Sequence, residues 1–109
     1  MANLAEKFVR AAGDEPIAHA VIAGPEPWAN DPTYGMEAFA PCDWPPGKVL
    51  PWAEAYIYLD HEYDDGFGGT DCPPTYAWTE TKVLYVHEYD GATSVYSVPR
   101  HPVDCTPSF

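Results

Sequence analysis

Thirteen prolines divide this chain of 109 residues, and they limit what it can fold into more than any other feature. Seven of them (Pro25, Pro27, Pro32, Pro41, Pro45, Pro46 and Pro51) fall in one stretch; Pro73-Pro74 and Pro99 punctuate the rest. A proline has no N–H to give a ladder and breaks a helix interior, so regular structure belongs in the intervals between them. With eight glycines as well, the chain is restricted to short strands, few helices and much loop. The apolar share of 46%, with 15% aromatic residues, is that of a globular protein. The length suits one domain, residues 1–109, with a single core.

One helix is clear before Pro16. Asn3 is placed to cap it, Glu6 follows at capping-box spacing, and Gly13 supplies the stop. Leu4, Phe8 and Ala11/Ala12 share a face that should be buried, with Lys7 and Arg10 toward the other side. Ile17 to Ala23 is apolar and β-branched, which predicts a buried strand. Pro25 to Pro51 predicts loop, with a brief extended piece around Met36 to Ala40.

Trp52 to Asp60 (WAEAYIYLD) alternates, and reads as a strand with Ala53, Ala55, Ile57 and Leu59 toward the core. Trp52, Glu54, Tyr56, Tyr58 and Asp60 then form its outer face. Lys82 to Tyr89 and Ala92 to Val98 flank Asp90-Gly91, a strong hairpin signal. A two-residue turn sets Val86 opposite Val95 and Tyr85 opposite Tyr96, and apolar groups on both faces place the hairpin centrally in its sheet. The chain after Pro99 should be irregular. The fold class expected is α+β: an N-terminal helix packed on a predominantly antiparallel sheet of about four or five strands. A small β-barrel with a peripheral helix is the other arrangement compatible with these elements.

The net charge is −12, and it is regional. Between Ala11 and Thr81 the acids are Asp14, Glu15, Glu26, Asp31, Glu37, Asp43, Glu54, Asp60, Glu62, Asp64, Asp65, Asp71 and Glu80, against the single base Lys48. Glu6, Glu88, Asp90 and Asp104 in the flanks are balanced by Lys7, Arg10, Lys82 and Arg100. Such a chain repels nucleic acid and anionic membrane and attracts cations or basic protein surfaces. Direct nucleic-acid binding is excluded as a function, because five scattered bases cannot neutralise a run of phosphates. No run approaches the roughly 20 apolar residues that span a bilayer. The N-terminus (MANLAEKFVRAAGDEP) lacks the pattern of a secretion signal, which makes a cytoplasmic setting the expectation.

Catalytic and metal signatures are sparse. The chain has no GxSxG, HExxH, phosphate-binding loop or G-x-G-x-x-G after a strand. Asp60-x-Glu62-x-Asp64-Asp65-Gly66, ending at Asp71, sets oxygen ligands at alternate positions, as calcium prefers. Its glycine is displaced by one position and Pro73-Pro74 replaces an exiting helix, so a solvated loop accounts for it and no metal is expected. Cys42, Cys72 and Cys105 show no close pairing for zinc. In a cytoplasmic chain they stay reduced, with Cys42–Cys72 and Cys72–Cys105 disulfides as the alternatives. A thiol among so many carboxylates is a poor nucleophile, since their charge raises its pKa. No cofactor is expected.

What the acids do have is company. Glu54, Tyr56, Tyr58, Asp60, Glu62, Tyr63, Asp64, Asp65 and Asp71 cluster within eighteen residues, and together they are the candidate partner-binding site. On a strand, same-face neighbours stand about 6.5–7 Å apart. That is near the separation of successive phosphates, so arginines and lysines that grip phosphate suit these carboxylates. The interleaved tyrosines supply interface anchors.

The base-free stretch Val49–Thr81 and its cluster DHEYDDGFGGTD (Asp60–Asp71) resemble the small acidic inhibitors that bacterial viruses use against restriction and CRISPR nucleases. Several of these mimic nucleic acid. The resemblance is one of composition, covers about half the chain and transfers no binding residue. It implies a non-enzymatic, acidic binding protein that occupies the basic channel of a nucleic-acid-binding protein or complex. Two other readings stay open: an assembly domain that oligomerises through its sheet, with acidity for solubility, and a small metal-dependent hydrolase.

Overall fold

The computed structural model describes residues 2–24, 43–63, 66, 72–89 and 92–107. The first element is β1 (Ala2–Asn3), which runs directly into α1 (Leu4–Ala12). Asn3 has extended backbone, and its side-chain oxygen accepts the Glu6 N–H at 3.1 Å. Gly13 ends the helix at φ 67°, a left-handed conformation that a Cβ disfavours, and its N–H returns to the Arg10 carbonyl at 3.2 Å. Leu4, Ala5, Phe8 and Ala12 are buried on one face, as the periodicity predicts.

Six strands and a second helix follow: β2 (His19–Ile22), β3 (Val49–Pro51), α2 (Trp52–Leu59), β4 (Glu62–Tyr63), β5 (Thr75–Trp78), β6 (Lys82–Tyr89) and β7 (Ala92–Pro99). Five strands form an antiparallel sheet in the order β3-β2-β5-β6-β7. β1 and β4 form a separate antiparallel pair, Ala2 opposite Tyr63 and Asn3 opposite Glu62. This is the expected α+β fold with the N-terminal helix on the sheet. The sheet is open, with β3 and β7 at its edges, so the closed barrel is not formed.

The hairpin register is as predicted, Val86 opposite Val95 and Tyr85 opposite Tyr96. The Asp90-Gly91 turn lies outside the described residues, as does the piece around Met36 to Ala40. The hairpin is not central, however, because β7 is an edge strand. Its two apolar faces have another explanation. Leu84, Val86 and Val95 meet the core with Ala20, Ile22, Leu50 and Ala77, under α1 and under Ala55 and Leu59 of α2. Val83, Tyr85, Tyr96 and Val98 lie on the opposite face, where Tyr96 and Val98 are exposed.

Trp52 to Asp60 departs from expectation: it is helical, not extended. Trp52, Ala55, Tyr56 and Leu59 recur at i, i+3, i+4 and i+7, so a period of 3.6 fits the apolar residues as well as a period of 2. Alanine, glutamate and leucine favour the helix, and Pro51 at φ −55° precedes it as the last residue of β3. Ala55 and Leu59 are fully buried, whereas Ile57, which a strand would have turned inward, is 69% exposed.

Two polar clamps tie the elements together. Asn3 caps α1 through its oxygen while its Nδ2 donates to Asp60 Oδ1 at 2.8 Å, joining the start of α1 to the end of α2. Glu15, beyond α1, accepts from the Thr81 N–H at 3.1 Å, the Thr81 hydroxyl at 2.7 Å and the Thr79 hydroxyl at 3.2 Å, with Lys82 Nζ at 3.6 Å. The Thr81 hydroxyl bond is the main reason the Glu15 carboxyl lies below its ordinary pKa; the Thr81 N–H, Thr79 and Lys82 add to it, against a desolvation cost.

Each clamp has a measurable consequence. Replacing Asn3→Ala should lower the unfolding free energy in urea by about 1 kcal/mol through the lost cap. Asn3→Asp keeps the capping oxygen but sets a carboxylate against Asp60, so its destabilisation should shrink as salt is added. For Glu15 the folded pKa is the lower one. Its ionised form therefore stabilises the fold at neutral pH, and that contribution is lost as the pH falls through the folded value. Denaturation midpoints followed from neutral pH into the acid range should accordingly fall less steeply for Glu15→Gln than for the parent.

Candidate protein-binding surface

The acidic–aromatic cluster is divided among different environments. Glu54 lies in the first turn of α2 and is exposed; Asp60, after its last turn, and Glu62, on β4, are exposed as well. Six residues of helical rise separate Glu54 from Asp60 by about 9 Å, and 100° per residue turns them to different sides. The carboxylates therefore do not form the strand ladder of 6.5–7 Å steps that alternation predicts. Asp64, Asp65 and Asp71 lie outside the described residues.

The three tyrosines differ in availability. Tyr56 and Tyr58 are half-buried on α2. Tyr56 meets Trp52 edge-on at 5.7 Å, and Trp52 in turn leans on Phe8 at 6.2 Å. Tyr58 meets Trp44 edge-on at 6.3 Å, and the Trp44 indole N–H donates to the Ala23 carbonyl at 3.1 Å. Each ring is thus fixed on one side and open on the other. Tyr63 is fully buried, because β4 turns Glu62 outward and Tyr63 inward. Its hydroxyl accepts from Thr93 Oγ1 at 3.4 Å, and Lys7 Nζ stands 5.7 Å from its ring centroid. Burial pushes the Tyr63 phenol above its ordinary pKa, against the opposing pull of Thr93 and Lys7. Tyr63 is a core residue, and the interface role predicted for it does not fit that position.

Most of the bases are engaged by the fold itself. Lys7, which the helical periodicity turns toward solvent, instead donates to the Thr93 carbonyl at 3.2 Å. Lys82 donates to the Ala12 carbonyl at 3.4 Å besides pairing with Glu15, and Arg100 Nη1 donates to the Thr79 carbonyl at 2.9 Å. Three of the five bases are thereby bonded to the fold's own backbone; Arg10, Lys48 and Arg100 are exposed, and Lys7 and Lys82 are half-buried. The carboxylates outside the Glu15 clamp mostly face water: Glu6, Asp14, Asp43, Glu54, Asp60, Glu62, Glu80, Glu88 and Asp104 are all exposed.

A second surface was not foreseen. The helices cover one face of the five-stranded sheet; among the described residues no helix or strand covers the other. That face carries Val21, Val49, Tyr76, Trp78, Val83, Tyr85, His87, Tyr96 and Val98 and, among the described residues, no carboxylate. Tyr76 is 57% exposed, and Tyr96 stacks on His87 at 4.8 Å and meets Tyr85 edge-on at 6.3 Å. The period-2 apolar pattern of β5 to β7 carried this signal, but two-sided apolarity alone does not distinguish a covered face from an open one.

No group of three or more His, Cys, Asp or Glu converges as a metal site among the described residues. Cys72 is buried and Cys105 exposed, both as free thiols, so they do not pair with each other; Cys42 lies outside the described residues. No described helix is long and apolar enough to cross a membrane. What this geometry offers is contact surface: a field of carboxylates with two anchored tyrosines, and a carboxylate-free aromatic sheet face. Comparison with protein-family models, curated proteins and solved structures finds no match to this chain.

Proposed function

We propose that the chain is a non-enzymatic acidic binding protein that inhibits a nucleic-acid-binding partner by occupying its basic channel, in the manner of an anti-restriction or anti-CRISPR nucleic-acid mimic. One observation carries the reading: the net charge is −12, and every described carboxylate outside the Glu15 clamp is exposed, while three of the five bases are bonded to backbone carbonyls of the fold. A surface of that kind steers toward concentrated positive charge and discriminates against acidic partners. Glu54, Asp60 and Glu62 provide carboxylates for charge-assisted bonds to arginine and lysine, and Tyr56 and Tyr58 provide rings beside them. Asp64, Asp65 and Asp71 extend the same acidic sequence. Contact on this reading follows the surface of α2 and β4 rather than a linear ladder. Its setting is the cytoplasm, where such partners meet nucleic acid.

The triple variant Glu54→Gln, Asp60→Asn, Glu62→Gln tests it. Captured partners from the native host's lysate should be basic nucleic-acid-binding proteins, and their affinity for the parent should fall steeply as salt rises. The triple variant should bind more weakly, by about tenfold at low salt, with a flatter salt dependence. Equal affinity for parent and variant, at matched thermal stability, would exclude this surface as the contact.

A further inference from the structure

Among the described residues no strand pairs with the outer edge of β7. Two backbone bonds fix which way its amides point. Thr79 N–H donates to Lys82 O at 3.0 Å across β5 and β6, and Arg100 N–H donates to Thr81 O at 2.8 Å across β6 and β7. Bonded and non-bonded pairs alternate along an antiparallel ladder, so Ser94, Tyr96 and Val98 direct their backbone groups to β6. Thr93, Val95, Ser97 and Pro99 direct theirs away from it, along the edge of the sheet.

That edge has two irregularities. The Thr93 carbonyl is already taken by Lys7 Nζ, at 3.2 Å, and Pro99 has no N–H. We infer that two copies of the chain associate by antiparallel β7–β7 pairing about a two-fold axis at Tyr96, because only there do these irregularities cancel. In that register Val95 and Ser97 of one copy exchange bonds with Ser97 and Val95 of the other. Thr93 stands opposite Pro99: its N–H finds the proline carbonyl, and its own carbonyl, which proline cannot serve, already has Lys7. Moving the axis to Val95 would set the Ser97 N–H against the carbonyl that Lys7 occupies.

The side chains agree with the backbone. Ala92 to Pro99 carries no charge and no lysine to discourage pairing, and Pro99 blunts only its end. Tyr96 becomes a non-bonded pair at the axis, the closer of the two antiparallel pair types. It brings Tyr85 and His87 of each copy into one aromatic cluster on the helix-free face. About 640 Å³ of open space lies along Val95 to Pro99, walled on its other side by Ala11 and by the chain's own Cys105, Thr106 and Pro107, and an incoming strand would enter between them. The pairing extends the five-stranded sheet of each copy into one continuous sheet.

The dimer is separable from binding of a basic partner by the sign of its salt dependence. Two chains of charge −12 repel, so salt should tighten their association, whereas salt weakens capture of a basic protein. Sedimentation velocity on the full chain should show a dimer that strengthens from low to high salt. Tyr96→Lys, which sets like charges at the axis, should weaken it at least about tenfold, with the monomer still folded by circular dichroism. With Cys42 and Cys105 replaced by serine, Tyr96→Cys should crosslink to itself on mild oxidation, since the paired Cα spacing suits a disulfide. Ser94→Cys alone should not, because it faces Val98 of the other copy. A chain that stays monomeric at high protein concentration and high salt overturns the inference. So does a dimer indifferent to Tyr96→Lys, or a Ser94→Cys variant that crosslinks as readily as Tyr96→Cys.

Discussion

Burial of one face of α1 is the contact on which the rest of the structure depends. Leu4, Ala5, Phe8 and Ala12 lie under the sheet layer's inner side chains, and the same helix touches β6, β7 and α2. Burying a leucine and a phenylalanine completely is worth roughly 1.5–3 kcal/mol each, a sizeable part of the roughly 5–15 kcal/mol by which domains are stable. Holding α1 there also requires its N-terminus to be anchored. Asn3 does this with one amide, capping the helix through its oxygen and gripping Asp60 through its nitrogen. The β1–β4 pair lies beside that clamp and carries Tyr63 into the core. The acidic end of α2 is therefore positioned by the same residues that fix the helix to the sheet.

Layering then decides where the surfaces fall. Two helices of nine and eight residues, set side by side, cover one face of a five-stranded sheet and no more. The inner face accepts them because Ala20 and Ala77 are small enough for close approach, with Ile22, Leu50 and Leu84 filling the space around them. On the outer face Tyr76 and Tyr96 are exposed, and Trp78, Tyr85 and His87 are half-buried. A contiguous apolar face of this sort is a marker of association. Among the described residues this face carries no carboxylate, so the exposed acids and the apolar face occupy different regions of the molecule.

The parts of this architecture legible in the sequence are those set by local signals. Asn3, Glu6 and Gly13 bracket α1 unambiguously, and Asp90-Gly91 between alternating runs fixes the hairpin register by counting. Trp52 to Leu59 misleads because an eight-residue run with tryptophan, alanine, tyrosine and leucine at these positions satisfies both periods; both bury Ala55 and Leu59, and only the exposure of Ala53 and Ile57 in the folded chain decides between them. Tyr63 was assigned outward for a related reason. Its direction depends on pairing with Ala2, sixty-one positions away, and no neighbour in sequence reports that. The inward use of Lys7 and Lys82 is likewise non-local, since their acceptors belong to Thr93 and Ala12.

Loss of the strand ladder changes how an acidic surface of this kind would engage a basic one, without removing its advantage. Long-range capture depends on the summed field, which decays over about 8–10 Å at ordinary ionic strength and is insensitive to the spacing of individual carboxylates. Close contact is a different matter, because ordering a free side chain at an interface costs roughly 0.5–1.5 kcal/mol. Tyr56 and Tyr58 are already ordered, one against Trp52 and the other against Trp44, and Trp44 is itself held by a hydrogen bond to Ala23. Their exposed sides are presented with most of that cost met by the fold. Helical α2 thus exchanges a regular row of charges for two preorganised rings set among charges; on the proposed reading, the carboxylates would govern approach and the aromatic residues residence.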